Sequence, residues 1–184
     1  MNITKWISKL INRFRLIGKF RHLYRIRVAR KVLIKLQEIA KQPNYEPRIL
    51  GYLRKINPFV FEELILSVIE DSNIRITRNT RYTGDGGIDG IFHLKQGKVL
   101  IQCKRYKNYI DNKHVKELTE KVSQDKHYLG IFVHTGRTGD KSKEVAKTGK
   151  NIVFVSGSNL VNIILGKENI QTYINRKITI GEKR

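Results

Sequence analysis

The chain has one cysteine, three prolines and only 16 Asp+Glu among its 184 residues. A single thiol, Cys103, excludes an internal disulfide framework and a cysteine-based zinc site, and it fits a reducing cytosol. No apolar run approaches the roughly 18 residues that a membrane-spanning helix requires, so a conventional transmembrane protein is excluded. The first residues lack a continuous apolar stretch and a small-residue cleavage site, so they do not read as a signal peptide. What the chain has instead is base: 37 Lys+Arg, a formal charge of +21 and a pI near 10.2. Such an imbalance calls for a polyanionic partner, nucleic acid first and an anionic membrane surface second. An apolar fraction of 40% supports a packed core, and the length suits one domain with a short appendage.

The charge is unevenly spread. Residues 1–56 hold 15 of the basic residues and two acids, Glu38 and Glu46, leaving a net +13 there. Within them Ile3, Trp6, Ile7, Leu10, Phe14 and Ile17 recur at helical spacing. A second helical stretch follows from about Arg21 to Ala40, where Leu23, Ile26, Leu33 and Leu36 are interrupted by Arg21, Arg25, Arg27, Arg30 and Lys35. Pro43 and Pro47 break the pattern, since proline lacks an N–H and pushes its predecessor out of helical geometry. The expected division is a basic helical arm and linker over 1–56, a domain over 57–166 and a tail over 167–184.

From Asn57 the pattern is α/β. Asn57-Pro58 is a helix start, a capping side chain followed by proline at the first helical position, and the helix should run to about Asp71. Ile74 and Ile76 alternate with Arg75 and Thr77 as in a half-buried strand. A glycine-rich turn at 84–87 leads into Ile88–Leu94, and Lys95-Gln96-Gly97 reads as a hairpin connection to Val99–Lys104. Helices at about 111–126, 141–148 and 159–165 then alternate with strands at 129–134 and 152–155. This order predicts a layered sheet with helices on its faces.

On the second hairpin strand, alternation puts Gln102 and Lys104 on one face and Ile101 and Cys103 on the other. An amide and an amine at the end of an apolar strand need partners, because burying them alone costs several kcal/mol, roughly. The preceding strand offers Asp89 among small neighbours, which let backbone or a bulky ligand come close. A carboxylate, an amide oxygen and a main-chain carbonyl form a hard-oxygen set suited to Mg²⁺, and a lysine beside them could orient or activate a water for attack on phosphorus.

Three segments carry a family resemblance: Phe61-Glu62-Glu63-Leu64, then Thr83-Gly84-Asp85-Gly86-Gly87-Ile88-Asp89-Gly90, then Ile101-Gln102-Cys103-Lys104-Arg105-Tyr106. In this order and spacing they resemble the catalytic domain of Mrr-type restriction endonucleases, in the Asp…Gln-x-Lys variant of the PD-(D/E)xK nuclease superfamily. The resemblance extends from about Ile56 to Gly166, taking in Gly130–Thr135 and Asn159-Leu160-Val161. It implies a restriction-endonuclease-like mixed central sheet flanked by helices, and Mg²⁺-dependent cleavage of DNA, with Mn²⁺ as a substitute metal. It further implies that Asp89, Gln102, the Cys103 main-chain carbonyl and Glu62 hold the metal and that Lys104 is the catalytic lysine. Glu62 lies three, four and seven residues before Ile65, Leu66 and Ile69, which projects it from an apolar stripe toward the sheet. Glu63 is the lesser candidate. Gln102 stands where most of the superfamily has a carboxylate, so the site carries one negative charge fewer unless Glu62 or Asp85 compensates.

The remaining candidates read more plainly. Arg105, Lys107, Arg21 and Arg25 are expected to bind the DNA backbone, giving salt-sensitive affinity. Cys103 reads as a small core residue, and His93, His114, His127 and His134 lack metal-ligand spacing. Thr135-Gly136-Arg137-Thr138-Gly139 is too generic to be called a phosphate loop. Three alternatives stay open: a catalytically silent DNA-binding protein on the same fold, a membrane-surface helix in which Trp6 and Phe14 oppose the basic residues, and a pairing of helices between copies or partners.

Overall fold

The computed structural model of the chain describes residues 3–79, 87–124, 129–148 and 152–182, with side chains described from Phe20 to Thr179 apart from Thr148. Asp85 and most of the glycine-rich turn lie outside the described residues. Five strands form one mixed sheet in the order β1(Ile76–Arg78), β2(Gly90–Leu94), β3(Gly97–Lys104), β4(Leu129–His134), β5(Ile152–Val155). The β1–β2–β3 part is antiparallel, and β3, β4 and β5 run parallel. The parallel strands need crossovers, which α4(Asn112–Gln124) and α5(Asp140–Thr148) supply. Every residue of β4 is buried, as expected for a central strand covered on both faces.

One face of the sheet packs Leu100 and Phe132 against Val115, Leu118 and Val122 of α4. The other packs Val99, Ile101, Cys103, Ile131 and Val133 against α3(Pro58–Asp71) and α6(Gly157–Ile164). α3 begins as the sequence requires, with the Asn57 side chain accepting from the Phe59 N–H at 3.0 Å and proline in the first turn.

From Ala29 onward the arm packs into the core of the domain. Residues 3–40 form one continuous helix, α1(Ile3–Ala40), and its Ala29, Val32 and Leu36 enter the same core as α3. The expected linker contains a helix, α2(Tyr45–Leu53), which buries Ile49 and Leu53 there. Pro47 is its third residue, within the first turn, where a missing N–H removes no intrahelical bond, so the proline costs little. The tail likewise forms α7(Ile170–Glu182), with Ile170, Tyr173 and Ile174 buried. Asn169 caps it, its side-chain oxygen accepting from the Gln171 N–H at 2.8 Å, and the Tyr173 hydroxyl donates to the Phe154 carbonyl at 2.7 Å.

Candidate nuclease site at the β2–β3 end

β2 and β3 part company just past Gly90, which pairs with Ile101. At that point a side chain takes over from the ladder: the Cys103 N–H donates to Asp89 Oδ2 at 2.6 Å, while the Asp89 N–H donates to the Ile101 carbonyl at 2.9 Å. The Asp89 carboxylate is thereby locked against β3. On the far side, the Asn79 N–H donates to the Asp89 carbonyl at 3.0 Å, tying the site to the end of β1.

Gln102 is buried, at 1% exposure, and its Oε1 has no hydrogen-bond partner among the described residues. Such an orphaned acceptor costs about 1–3 kcal/mol. Ser67 Oγ on α3, Arg105 Nε and His134 Nδ1 share the condition, so the orphaned acceptor does not single out a site without its neighbours. The Gln102 amide and the Lys104 amine both approach Gly87. A Cβ built there would stand 2.5 Å from Gln102 Nε2 and 3.9 Å from Lys104 Nζ, and Gly87 has a φ of +80°. Only glycine meets both demands, so the turn passes directly over the amide. The small residues beside Asp89 are expected to allow a close approach to its carboxylate, and at Gly87 the close approach is to Gln102. The signal was present in the spacing between the glycine run and Asp89.

Electrostatics bring Glu62 to the same place. Burial raises the Cys103 thiol well above its ordinary value, and the Asp89 and then the Glu62 carboxylates push it further, with Lys104 opposing. Two carboxylates and an ammonium thus act on one residue at the end of β3. Cys103 itself sits in the core, at 2% exposure.

The adjacent Glu63 has a different fate. It is buried between His22 Nδ1 of α1, at 2.9 Å, and Arg78 Nε of β1, at 3.3 Å. Arg78 also makes a two-pronged contact with Glu70, at 2.8 and 2.6 Å. Glu63 therefore belongs to an ion-pair staple between helix and sheet.

The expected phosphate contacts separate into two kinds. Lys107 and Arg21 are exposed. The Arg25 guanidinium instead lies over the Phe59 ring at 4.1 Å, and Arg105 Nη1 donates to the Arg54 carbonyl at 2.8 Å. These two arginines pack the start of α3 and the α2–α3 connection, which their basic character alone could not reveal. Among the described residues no group of three or more His, Cys, Asp or Glu forms a metal cluster, and no helix is long and apolar enough to cross a membrane. His134 neighbours Lys104 across the β3–β4 pairing, but burial pushes its imidazole down to about 4, so it is neutral near pH 7.

A protein-family model described as restriction endonuclease, the Mrr catalytic domain, matches residues 53–164, more than half of the chain. The chain belongs to the Mrr-type restriction-endonuclease family. Its Gly87, Asp89, Gln102 and Lys104 all lie within the matched residues, as do Glu62 and the staple glutamate beside it. This Mrr-type chain is 28% identical over 127 residues to the type IV methyl-directed restriction enzyme EcoKMrr of Escherichia coli strain K12. That alignment covers 65% of the chain but 42% of the relative, so the chain spans less than half the relative's length. The solved DNA modification-dependent restriction endonuclease AspBHI is similar in fold, with a TM-score of 0.50 at 17% identity over 75% of this chain and 40% of that one.

Proposed function

We propose that this chain is a metal-dependent endodeoxyribonuclease of restriction type, hydrolysing DNA phosphodiester bonds with Mg²⁺, and with Mn²⁺ as a substitute. The observation that carries the reading is the buried Gln102 amide oxygen, without a hydrogen-bond partner among the described residues, on the strand that bonds Asp89 and close to Lys104. A hard cation would satisfy that oxygen, and an amide with two nearby carboxylates is the donor chemistry Mg²⁺ accepts. Asp89, Gln102, the Cys103 carbonyl and Glu62 would hold the ion. Once bound, it supplies Lewis-acid stabilisation of charge on the phosphate oxygens.

The chain's own residues do the rest. The Cys103 N–H fixes the Asp89 carboxylate before any ligand arrives, which removes reorganisation from the reaction. Lys104 orients the attacking water and offsets negative charge as it builds on phosphorus. Lys107 and Arg21 supply phosphate contacts outside the site.

The test is incubation of the full chain with Mg²⁺, Mn²⁺ or chelator on unmethylated, methylated and branched DNA, the methylated arm being chosen because EcoKMrr is methyl-directed. Metal-dependent cleavage by the native chain is expected, with a loss of about a thousandfold or more in Lys104→Ala and Asp89→Ala and retained DNA binding in Lys104→Ala. Metal-independent or undiminished cleavage in Lys104→Ala overturns the assignment. DNA binding by the native chain without cleavage on any substrate would favour a silent DNA-binding protein, for which the glutamine in place of a carboxylate already speaks.

A further inference from the structure

Two loops leave the sheet beside Lys104 and are fastened to each other. Residues 105–111 follow β3, and residues 135–139 follow β4. Thr135 Oγ1 accepts from the Tyr106 N–H and donates to the Tyr106 carbonyl, both at 3.0 Å. The Arg137 N–H donates to the Asn108 carbonyl at 2.9 Å, and the Ile110 N–H donates to the Arg137 carbonyl at 3.0 Å, making a short parallel bridge at Tyr109. Gly136 permits this approach: a Cβ there would fall 2.4 Å from the Asn108 carbonyl oxygen. The base is anchored as well, since Ile110 is buried and the Arg54 guanidinium donates twice to the Thr135 carbonyl, at 3.0 and 2.8 Å.

The result is a backbone-bridged platform that buries Ile110 and holds an aromatic side chain outward. Tyr109 is 63% exposed, and its ring lies beside Gly139. Lys107, two residues before Tyr109, and Arg137, bridged to it through the backbone, are both exposed. The nearby acids are engaged: Asp111 accepts from the Lys113 N–H at 2.9 Å at the start of α4, and Asp140 pairs with Lys143 at 2.9 Å. Among the described residues no acid pairs with Lys107 or Arg137, so positive charge accompanies an exposed aromatic ring five residues along the chain from Lys104.

We propose that the paired 105–111 and 135–139 loops form a DNA-binding platform, in which Lys107 and Arg137 contact phosphates and Tyr109 stacks on an unpaired base next to the cleavage site. The occupant follows from the charge and from the loops' continuity with β3. Stacking on an aromatic ring tolerates any base and gains from flanking cations, and a ring held by a bridged backbone loses little freedom on binding. This platform rests on the nuclease reading for its substrate class.

The experiment measures binding of labelled DNA to the full chain by fluorescence anisotropy in chelator, where no cleavage occurs, on a fully paired duplex and on one with an unpaired base. Tyr109→Ala should weaken binding to the unpaired-base duplex about tenfold, with Tyr109→Phe close to the native chain. Arg137→Ala and Lys107→Ala should each lower affinity on both DNAs and flatten the logarithmic salt dependence by about 0.9. Native unfolding transitions in all four variants guard against a folding artefact, and these exposed side chains should leave them unchanged. Native-like affinity of Tyr109→Ala for the unpaired-base duplex, or no DNA affinity in the native chain, overturns the platform. If the loop variants lose binding but the native chain never cleaves, the nuclease reading fails while the platform stands.

Discussion

Two regions of this molecule treat buried polar groups in opposite ways. Between α1, α3 and β1, buried charge is paired with charge: Glu63 with His22 and Arg78, and Arg78 in turn with the more exposed Glu70. At the β2–β3 end, Gln102 is as buried as Glu63 yet its carbonyl oxygen has no hydrogen-bond partner among the described residues. The first region spends polar groups on holding a basic helix to the sheet. The second retains an energetic cost of about 1–3 kcal/mol that packing alone would have removed. Ser67, Arg105 and His134 also bury an unpartnered polar atom among the described residues, so it is the company of Asp89 and Lys104, not the missing bond alone, that sets Gln102 apart.

Mutations should break the two regions in opposite directions. The largest effect expected is in the staple. Arg78→Met leaves Glu63 with one partner fewer in a dry site, and should destabilise the fold by about 3–5 kcal/mol in urea titrations. A loss below about 1 kcal/mol would mean that the network is mere surface charge.

Next comes pH. His134 is held neutral by burial, its pKa pushed down to about 4 from the ordinary 6.5. The unfolded chain therefore binds the proton more readily. Stability from this residue is complete above about pH 6.5 and declines as pH falls toward 4, by about 3 kcal/mol in all. His134→Phe, placed among Phe132 and Phe154, should flatten that decline. An unchanged slope would assign it to the carboxylates instead.

Gln102→Met tests the contrast most directly. Replacing the amide by a side chain of similar length should leave stability level or raise it by about 1–2 kcal/mol, while metal-dependent cleavage disappears. Destabilisation by as much as the Arg78 variant shows would make the amide structural. The smallest effect is expected for Gln102→Glu, which restores a negative charge. Metal affinity measured by calorimetry should hold or rise several-fold, and a clear fall would count against Gln102 as a ligand.

Much of the architecture was legible in the residues. The α3 start at Asn57-Pro58 and the bounds of β4 and β5 follow from capping chemistry and from short apolar runs, both of which are local. The helices at 45–53 and 170–182 were not read. For α2 the obstacle was Pro47, which resembles a breaker unless its place in the first turn is known. For α7 the signal existed, a capping Asn169 followed by Ile170, Tyr173 and Ile174 at helical spacing.

The arginines show the limit of sequence reading in another way. Arg21, Arg25, Arg105 and Lys107 are alike as letters, yet Arg25 covers an aromatic ring and Arg105 bonds a main-chain carbonyl. A basic side chain's partner is chosen by what the fold puts within its reach. The chain's composition, by contrast, needs no fold to speak. The excess of base and the order of acid, glycine turn, Asp89 and Gln-Cys-Lys carried the family and the expectation of a polyanionic partner, because charge and strand alternation act locally or in sum. Only the tertiary structure decided that Glu63 would be stapled and Glu62 left near Cys103, that Gly87 would lie over Gln102, and that Tyr109 would be held outward. Each of these depends on residues far apart in the chain being brought within a few ångströms, where burial turns a neutral choice of side chain into an energetic one.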